Sequence, residues 1–304
     1  MLNIPFIKYS KLWLVVSGLI AVVCIVFLAI WGLKPGIDFT GGSLLELSFT
    51  TRPETAEMQN VFNEVGLKNI SIQKAGDYGI IVRTNFLTEE EHQRVLSGVQ
   101  ARLQTAANQV HEESFQTVGA SISSQLKSKA IWAITFVLFG IIGYIAYAFR
   151  KVSRPVASWK YGVLAIVALL HDVLLVMGVF AVLGRFFGVE VDTAFVVAII
   201  TVLGYSVNDT IVVYDRIREN LQRHSADNFE EVVNIGLNET LMRSINTTFK
   251  TTLPLIALFF IGGASIHYFV LALLIGIASG AYSSIFIASP LLVVAYNWQE
   301  RKRA

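Results

Sequence analysis

An aspartate surrounded by apolar residues is the first feature of the chain that invites chemistry. In the stretch 193–220, TAFVVAIITVLGYSVNDTIVVYDRIREN, Asp209 is the single carboxylate between Ala194 and Tyr214, with Ser206, Asn208 and Thr210 beside it. If the stretch spans a membrane, an aspartate near its middle costs roughly 2.5 to 3.5 kcal/mol on insertion scales and has to be offset by a partner, by water or by a bound proton. At 1.5 Å per residue, Asp209 lies about 10 Å inside Arg216, within a hydrocarbon core about 30 Å thick. The expectation is a functional, proton-binding acid. The alternative is a span that ends early and leaves Asp209 in the interface near Asp215 and Arg216.

A cation able to answer that acid occurs further on, in Arg243-Ser-Ile-Asn-Thr-Thr-Phe-Lys-Thr-Thr252, where Arg243, Asn246 or Thr247, and Lys250 fall three to four residues apart and share one helical face. Arginine suits the part because it stays protonated while a carboxylate alternates between paired and protonated states. The competing reading of Arg243 is a side chain that snorkels to the membrane edge. His171 and Asp172 form a second polar pair in an apolar stretch, expected to act as a hydrogen-bonded brace between helices, with a second proton-handling site as the alternative. Only these two classical ligands cluster, so no metal site is expected. Gly276, Gly280, Ser284 and Ala288 repeat every fourth residue and predict a small-residue packing face.

The elements that must hold these residues follow from composition. The chain has 304 residues, 54% of them apolar, with a mean hydropathy of +0.59, which excludes an ordinary soluble protein and predicts a polytopic α-helical membrane protein. A net charge of +2 says little; no nucleic-acid partner is expected, and the lone Cys24 points to no disulfide framework or thiolate metal site. Six transmembrane helices are expected, at 12–33, 130–149, 161–183, 193–214, about 244–262 and about 268–298. The first is too long for a signal-peptide core and is read as retained.

Lysine and arginine in the short loops collect on one side: Lys8 and Lys11; Arg150, Lys151, Arg154 and Lys160; Arg216, Arg218 and Arg223; Arg301, Lys302 and Arg303. The opposite short loops hold only Arg185. Both termini are therefore expected in the cytoplasm and the segment 34–129 outside it. A polar stretch near 227–242, with Phe229, Val232, Val233, Gly236 and Leu237 at amphipathic spacing behind Asp227 and Glu230, is expected to lie along the cytoplasmic membrane surface or under the bundle.

The segment 34–129 has its own order. Ser43–Thr50 alternates like a strand, Glu54–Val65 has helical spacing, Asn69–Lys74 and Gly79–Thr84 read as strands about the turn Ala75–Tyr78, Thr88 and Glu91 form a capping box for a helix to about Ala106, and Ser114–Val118 closes the series. Strand, helix, strand, strand, helix, strand predicts an α+β ferredoxin-like domain. It contains no acid, histidine and serine constellation of a catalytic kind, so a binding or scaffolding role outranks an enzyme.

Gly36-Ile-Asp-Phe-Thr-Gly-Gly42, Leu170-His-Asp-Val173, the run from Gly204 to Asn220, and Glu239-Thr-Leu-Met-Arg-Ser-Ile-Asn-Thr-Thr248 together resemble the SecF family of bacterial SecDF protein-export complexes, within the resistance-nodulation-division superfamily. The likeness runs over nearly the whole chain. It implies a proton-motive-force-driven subunit of the Sec translocase in the bacterial inner membrane, acting on unfolded preprotein late in translocation. The implied partners are SecD, the SecYEG channel, YajC, YidC and membrane lipid, with protons as the only coupling species and no cofactor. It also implies Asp209 as proton carrier, Arg243 as the cation that gates it, and supporting roles for His171, Asp172, Asn208, Ser206, Asn246 and Thr247. The alternatives are half of a proton-coupled small-molecule or lipid exporter of the same superfamily, and a passive assembly factor.

Overall fold

The computed structural model describes residues 4–67, 70–148, 156–223 and 228–302. Asn69, Phe149, Arg150, Lys151, Arg154, Asp227 and Arg303, which entered the expectations above, lie outside them. The chain divides into two compact units, one of Met1–Leu33, Trp132–Val189 and Ala194–Ala304, the other of Lys34–Ile131 and Glu190–Thr193.

The smaller unit is built on β1 (Gly42–Phe49), whose alternation puts Leu45, Leu47 and Phe49 on the buried side. After β1 come α3 (Thr55–Glu64), β2 (Ser71–Ala75), β3 (Gly79–Thr84), α4 (Glu89–Leu103) and β4 (Val110–Val118); the single turn α2 (Ile37–Thr40) precedes it. The four strands form an antiparallel sheet in the order β2-β3-β1-β4, with Leu45 opposite Val82 and Leu47 opposite Ile80. Met58, Val61 and Phe62 of α3 and Val95, Val99 and Leu103 of α4 bury their apolar stripes in the same core. Thr88 caps α4, and the Glu91 side chain returns to the Thr88 backbone N–H at 2.9 Å, completing the box. Those bonds from Thr88 hold the Glu91 carboxyl below its ordinary range.

The loop 190–193 is folded into this unit. Gly36 N–H donates to the Val191 carbonyl and Val191 N–H to that of Lys34, both at 2.8 Å, and Glu190 pairs with Arg83 at 2.6 Å and Lys34 at 3.2 Å. Asp38, from the glycine-flanked motif, accepts the Thr193 backbone N–H at 2.8 Å and so satisfies one orphan donor at the start of the helix that begins there. Asp38→Ala is expected to cost about 1 kcal/mol, the usual loss for a deleted cap, read as faster hydrogen exchange over the first turn of that helix.

The larger unit contains α1 (Ser10–Trp31), most of α5 (Ala120–Ala148), α6 (Ser158–Phe187), α7 (Thr193–Arg223), α8 (Phe229–Ile261), α9 (Ala264–Ser283) and α10 (Ser289–Arg301). Six helical stretches among the described residues are long and apolar enough to cross a membrane; α9, a π-helical turn at Ser284–Ala288 and α10 together make the sixth. The expected surface segment near 227–242 and the fifth span are one continuous helix, α8. The amphipathic residues Phe229, Val232, Val233 and Leu237 are its buried stripe. The polar run Arg243–Thr252 is stabilised from within: Thr247, Thr251 and Thr252 donate to the carbonyls of Arg243, Thr247 and Thr248 at 2.8, 3.0 and 2.8 Å. The second span also starts earlier than hydropathy suggested, since the polar residues 120–129 are helical.

Close approach between helices depends on small residues. A Cβ added at Gly178 of α6 would meet Cys24 of α1 at 2.6 Å, and one at Gly276 of α9 would meet Val202 of α7 at 2.1 Å.

Candidate functional site

Among the described residues, two buried carboxylates lie in the helical unit, each held by serines from neighbouring elements. Asp209, on α7, is 8% exposed. It accepts the Ser244 hydroxyl of α8 at 2.8 Å and the hydroxyl of Ser284, the first residue of the π-helical turn. Asp172, on α6, is fully buried and accepts three hydroxyls at 2.6 Å, from Ser206 of α7 and from Ser279 and Ser283 of α9. His171 Nδ1 is 3.3 Å from Asp172 on the same helix, and it is Asp172 that joins α6 to α7 and α9. Buried ions require such partners, because desolvating a lone carboxylate costs several kcal/mol.

The helix α8 presents Asp209 with a different face from the one its cations suggested. Ser244 is buried against the acid, whereas Arg243, Asn246, Thr247 and Lys250 are exposed on this chain. Arg243 and Asp209 form no ion pair among the described residues. Asn208, next to Asp209, is also exposed, while Ser206 belongs to the Asp172 group rather than to Asp209. His171 Nε2 and Thr210 Oγ1 are buried with no hydrogen-bond partner among the described residues.

The packing face of α9 carries more than packing. An added Cβ at Gly280 would lie 2.9 Å from Ser206 Cβ and 3.1 Å from its Cα, so glycine is what lets the two helices approach closely enough for Ser279 and Ser283 to reach Asp172. Gly280→Ala is expected to destabilise the bundle by about 1–3 kcal/mol, the range for overpacking, measured as a lower thermal midpoint in detergent. Ser284, placed by spacing in the same stripe, donates to Asp209. Ser279 and Ser283 were not singled out by the sequence, and Ser244 stood out only as one of several polar residues in its helix. The signal available for two of them was a serine pair at i and i+4 in an apolar helix, a spacing that aims both hydroxyls at one point.

The π-helical turn is stabilised by side chains. Opening the i→i−4 ladder frees carbonyls, and the fully buried Tyr214 donates to that of Ala288 at 2.9 Å while Ser289 donates to that of Ser284 at 3.0 Å. Below Asp209 on α7, Arg216 Nε and the Asn220 amide both donate to Glu239 of α8, at 2.8 and 2.5 Å, tying the end of one helix to the middle of the other.

Comparison with known proteins agrees over the full length. The family described as protein export membrane protein SecD/SecF, C-terminal, matches residues 98–298, and the SecD/SecF GG motif matches residues 26–51. The chain is similar to protein translocase subunit SecF of Thermobaculum terrenum, 40% identical over 98% of this chain and 95% of that protein. It is likewise similar to the SecF subunit of a Synechocystis species, 39% identical over 99% of this chain and 97% of that protein. Among solved structures, a crystal structure of SecDF from Thermus thermophilus, a translocon-associated membrane protein, superposes with a TM-score of 0.85 at 30% identity. The match covers 98% of this chain and 39% of that one, so this chain spans well under half of the SecDF polypeptide.

Proposed function

The chain belongs to the SecD/SecF protein-export membrane protein family, and on that premise we propose that it is the SecF partner of a SecD chain in a unit driven by the proton motive force. The unit promotes the late stage of preprotein translocation through the SecYEG channel, with YajC and YidC as further associates. It is an energy-coupling subunit rather than an enzyme, uses protons and no cofactor, and resides in the bacterial inner membrane with both termini in the cytoplasm. The small α+β unit, whose strand order is that of a ferredoxin-like domain, faces the outside, where the emerging unfolded chain is handled.

The observation that carries this reading is the environment of Asp209. An acid in the middle of an apolar helix, held by two hydroxyls, has two stable conditions: charged with its donors turned toward it, or neutral with those donors released. A proton crossing 100 mV supplies roughly 2.3 kcal/mol, enough to alternate them. Each condition favours a different packing of α7 against α8 and the π-helical turn, and bistable packing of this kind converts a local charge change into a helix movement.

The reading is tested by reconstituting the channel, its ATPase, a SecD partner and this chain in vesicles. Gradient-dependent export of a preprotein should appear only when both family members are present and should vanish with an ionophore. Export that is indifferent to the gradient would instead support the passive assembly role.

A further inference from the structure

Ser283 and Ser284, adjacent residues at the junction of α9 and the π-helical turn, send their hydroxyls to different acids: Ser283 to Asp172 at 2.6 Å, Ser284 to Asp209. Each has a second acceptor on its own helix, the Gly280 carbonyl at 3.2 Å for Ser283 and the Ala281 carbonyl at 3.1 Å for Ser284. A hydroxyl has one proton to donate. Each serine therefore chooses between an acid and its own backbone.

The two acids are not equivalent. A carboxylate offers about four acceptor positions; Asp172 has three filled by Ser206, Ser279 and Ser283, with His171 Nδ1 beside it. That is the arrangement of a fixed acceptor. Asp209 has only two hydroxyl donors among the described residues, Ser244 and Ser284. The π-helical turn begins at Ser284 itself, directly after Ser283, and carbonyls of the turn accept from Tyr214 and Ser289. Single-turn π segments are frequent at functional sites because the loosened ladder permits a local change of register.

We propose that Asp172 is a positioning residue for the proton site: by holding the Ser283 hydroxyl it fixes the neighbouring Ser284 hydroxyl on Asp209. This rests on the reading of Asp209 as the proton carrier. When a proton from water binds an Asp209 carboxylate oxygen, the Ser284 hydroxyl turns to the Ala281 carbonyl, and only hydrogen bonds are exchanged. The turn of Ser284 shifts the first π-helical residue against Ser283, which Asp172 holds in place. The seam therefore has two arrangements with Asp172 as the fixed end.

The test uses the assembled complex in vesicles and the pH profile of gradient-driven translocation. In Asp172→Asn and in Ser283→Ala, which leaves the Asp172 charge in place and changes little volume, the profile is expected to move by about one pH unit, a tenfold change in proton affinity. Adding Ser283→Ala to Ser284→Ala is expected to produce no further movement, because the first substitution acts through the second residue. Lower activity with an unmoved profile in Ser283→Ala, or shifts that simply add, would overturn the proposal. Asp209→Asn separates the two ideas. If it abolishes gradient dependence while the Ser283→Ala profile stays put, only the positioning role is lost; if it leaves gradient dependence intact, the carrier reading fails and takes this one with it.

Discussion

Asp209→Asn is expected to remove the gradient-dependent part of preprotein export while leaving the complex assembled. Asparagine keeps the size of the side chain and can still accept one serine through its carbonyl oxygen. Its amide group cannot take up a proton, and it presents N–H donors where Ser244 or Ser284 now donates. Ser284 has the Ala281 carbonyl at 3.1 Å to fall back on, so the loss of one bond is partly offset. Replacing a buried charge by a neutral group of the same shape is often tolerated by the fold. What disappears is the energy input of roughly 2.3 kcal/mol per proton at 100 mV, a factor of about 50 in a rate or an equilibrium. Export in inverted vesicles, with and without the gradient, measures this directly, and co-purification with the SecD partner checks assembly. Export that keeps its full response to the gradient in the variant would leave Asp209 with a structural role only.

The second large effect is expected in the α+β unit, at Gly42→Ala. Gly42 opens the central strand with φ of 124°, in the region that only glycine adopts readily, and an added Cβ would lie 2.6 Å from the Thr84 carbonyl oxygen on the neighbouring strand. A strained backbone costs about 1–3 kcal/mol, and the clash, which is with backbone and cannot be relieved by a rotamer, adds about as much again. The combined loss, about 3–5 kcal/mol, is a large fraction of the stability of a domain this size. Gly76→Ala is the control: its φ is also positive, at 58°, but nothing lies within 4 Å, so the cost should be about 1 kcal/mol. Hydrogen exchange of the β1 amides reports both. Equal effects at the two glycines would show that strain alone, and not the contact with Thr84, decides the matter.

Much of this architecture was legible in the sequence for simple physical reasons. Apolar runs long enough to cross a bilayer stand out from any window, and the alternation of β1 and the Thr88–Glu91 box marked elements of the small unit to within a few residues. Asp209 and Asp172 stood out because an acid in an apolar helix needs an explanation. What holds those acids was harder to read. Serine is common in membrane helices, and its hydroxyl is as easily satisfied by its own backbone as by a neighbour, so Ser279 and Ser283 carried no distinguishing mark and Ser244 was one polar residue among several. Ser284 sat in a four-residue repeat that packing explained fully. The π-helical turn has no residue pattern to separate it from an α-helix, because it arises from where Tyr214 and Ser289 donate in three dimensions. The unbroken course of α8 was hidden because its first part, near 227–242, is polar and amphipathic and reads as a surface segment separate from the apolar span that follows.

The continuity of α8 has a mechanical consequence. Its 33 residues make a rod of about 50 Å, longer than the roughly 30 Å of hydrocarbon it crosses. Ser244, on Asp209, and Glu239, on Arg216 and Asn220, lie little more than one turn apart on it with no loop between them to absorb torsion. A twist that lifts Ser244 from the acid must swing Glu239 off its two donors as well. The helix is thus geared at two points like a camshaft, and whatever bears on its polar end has leverage over the buried one.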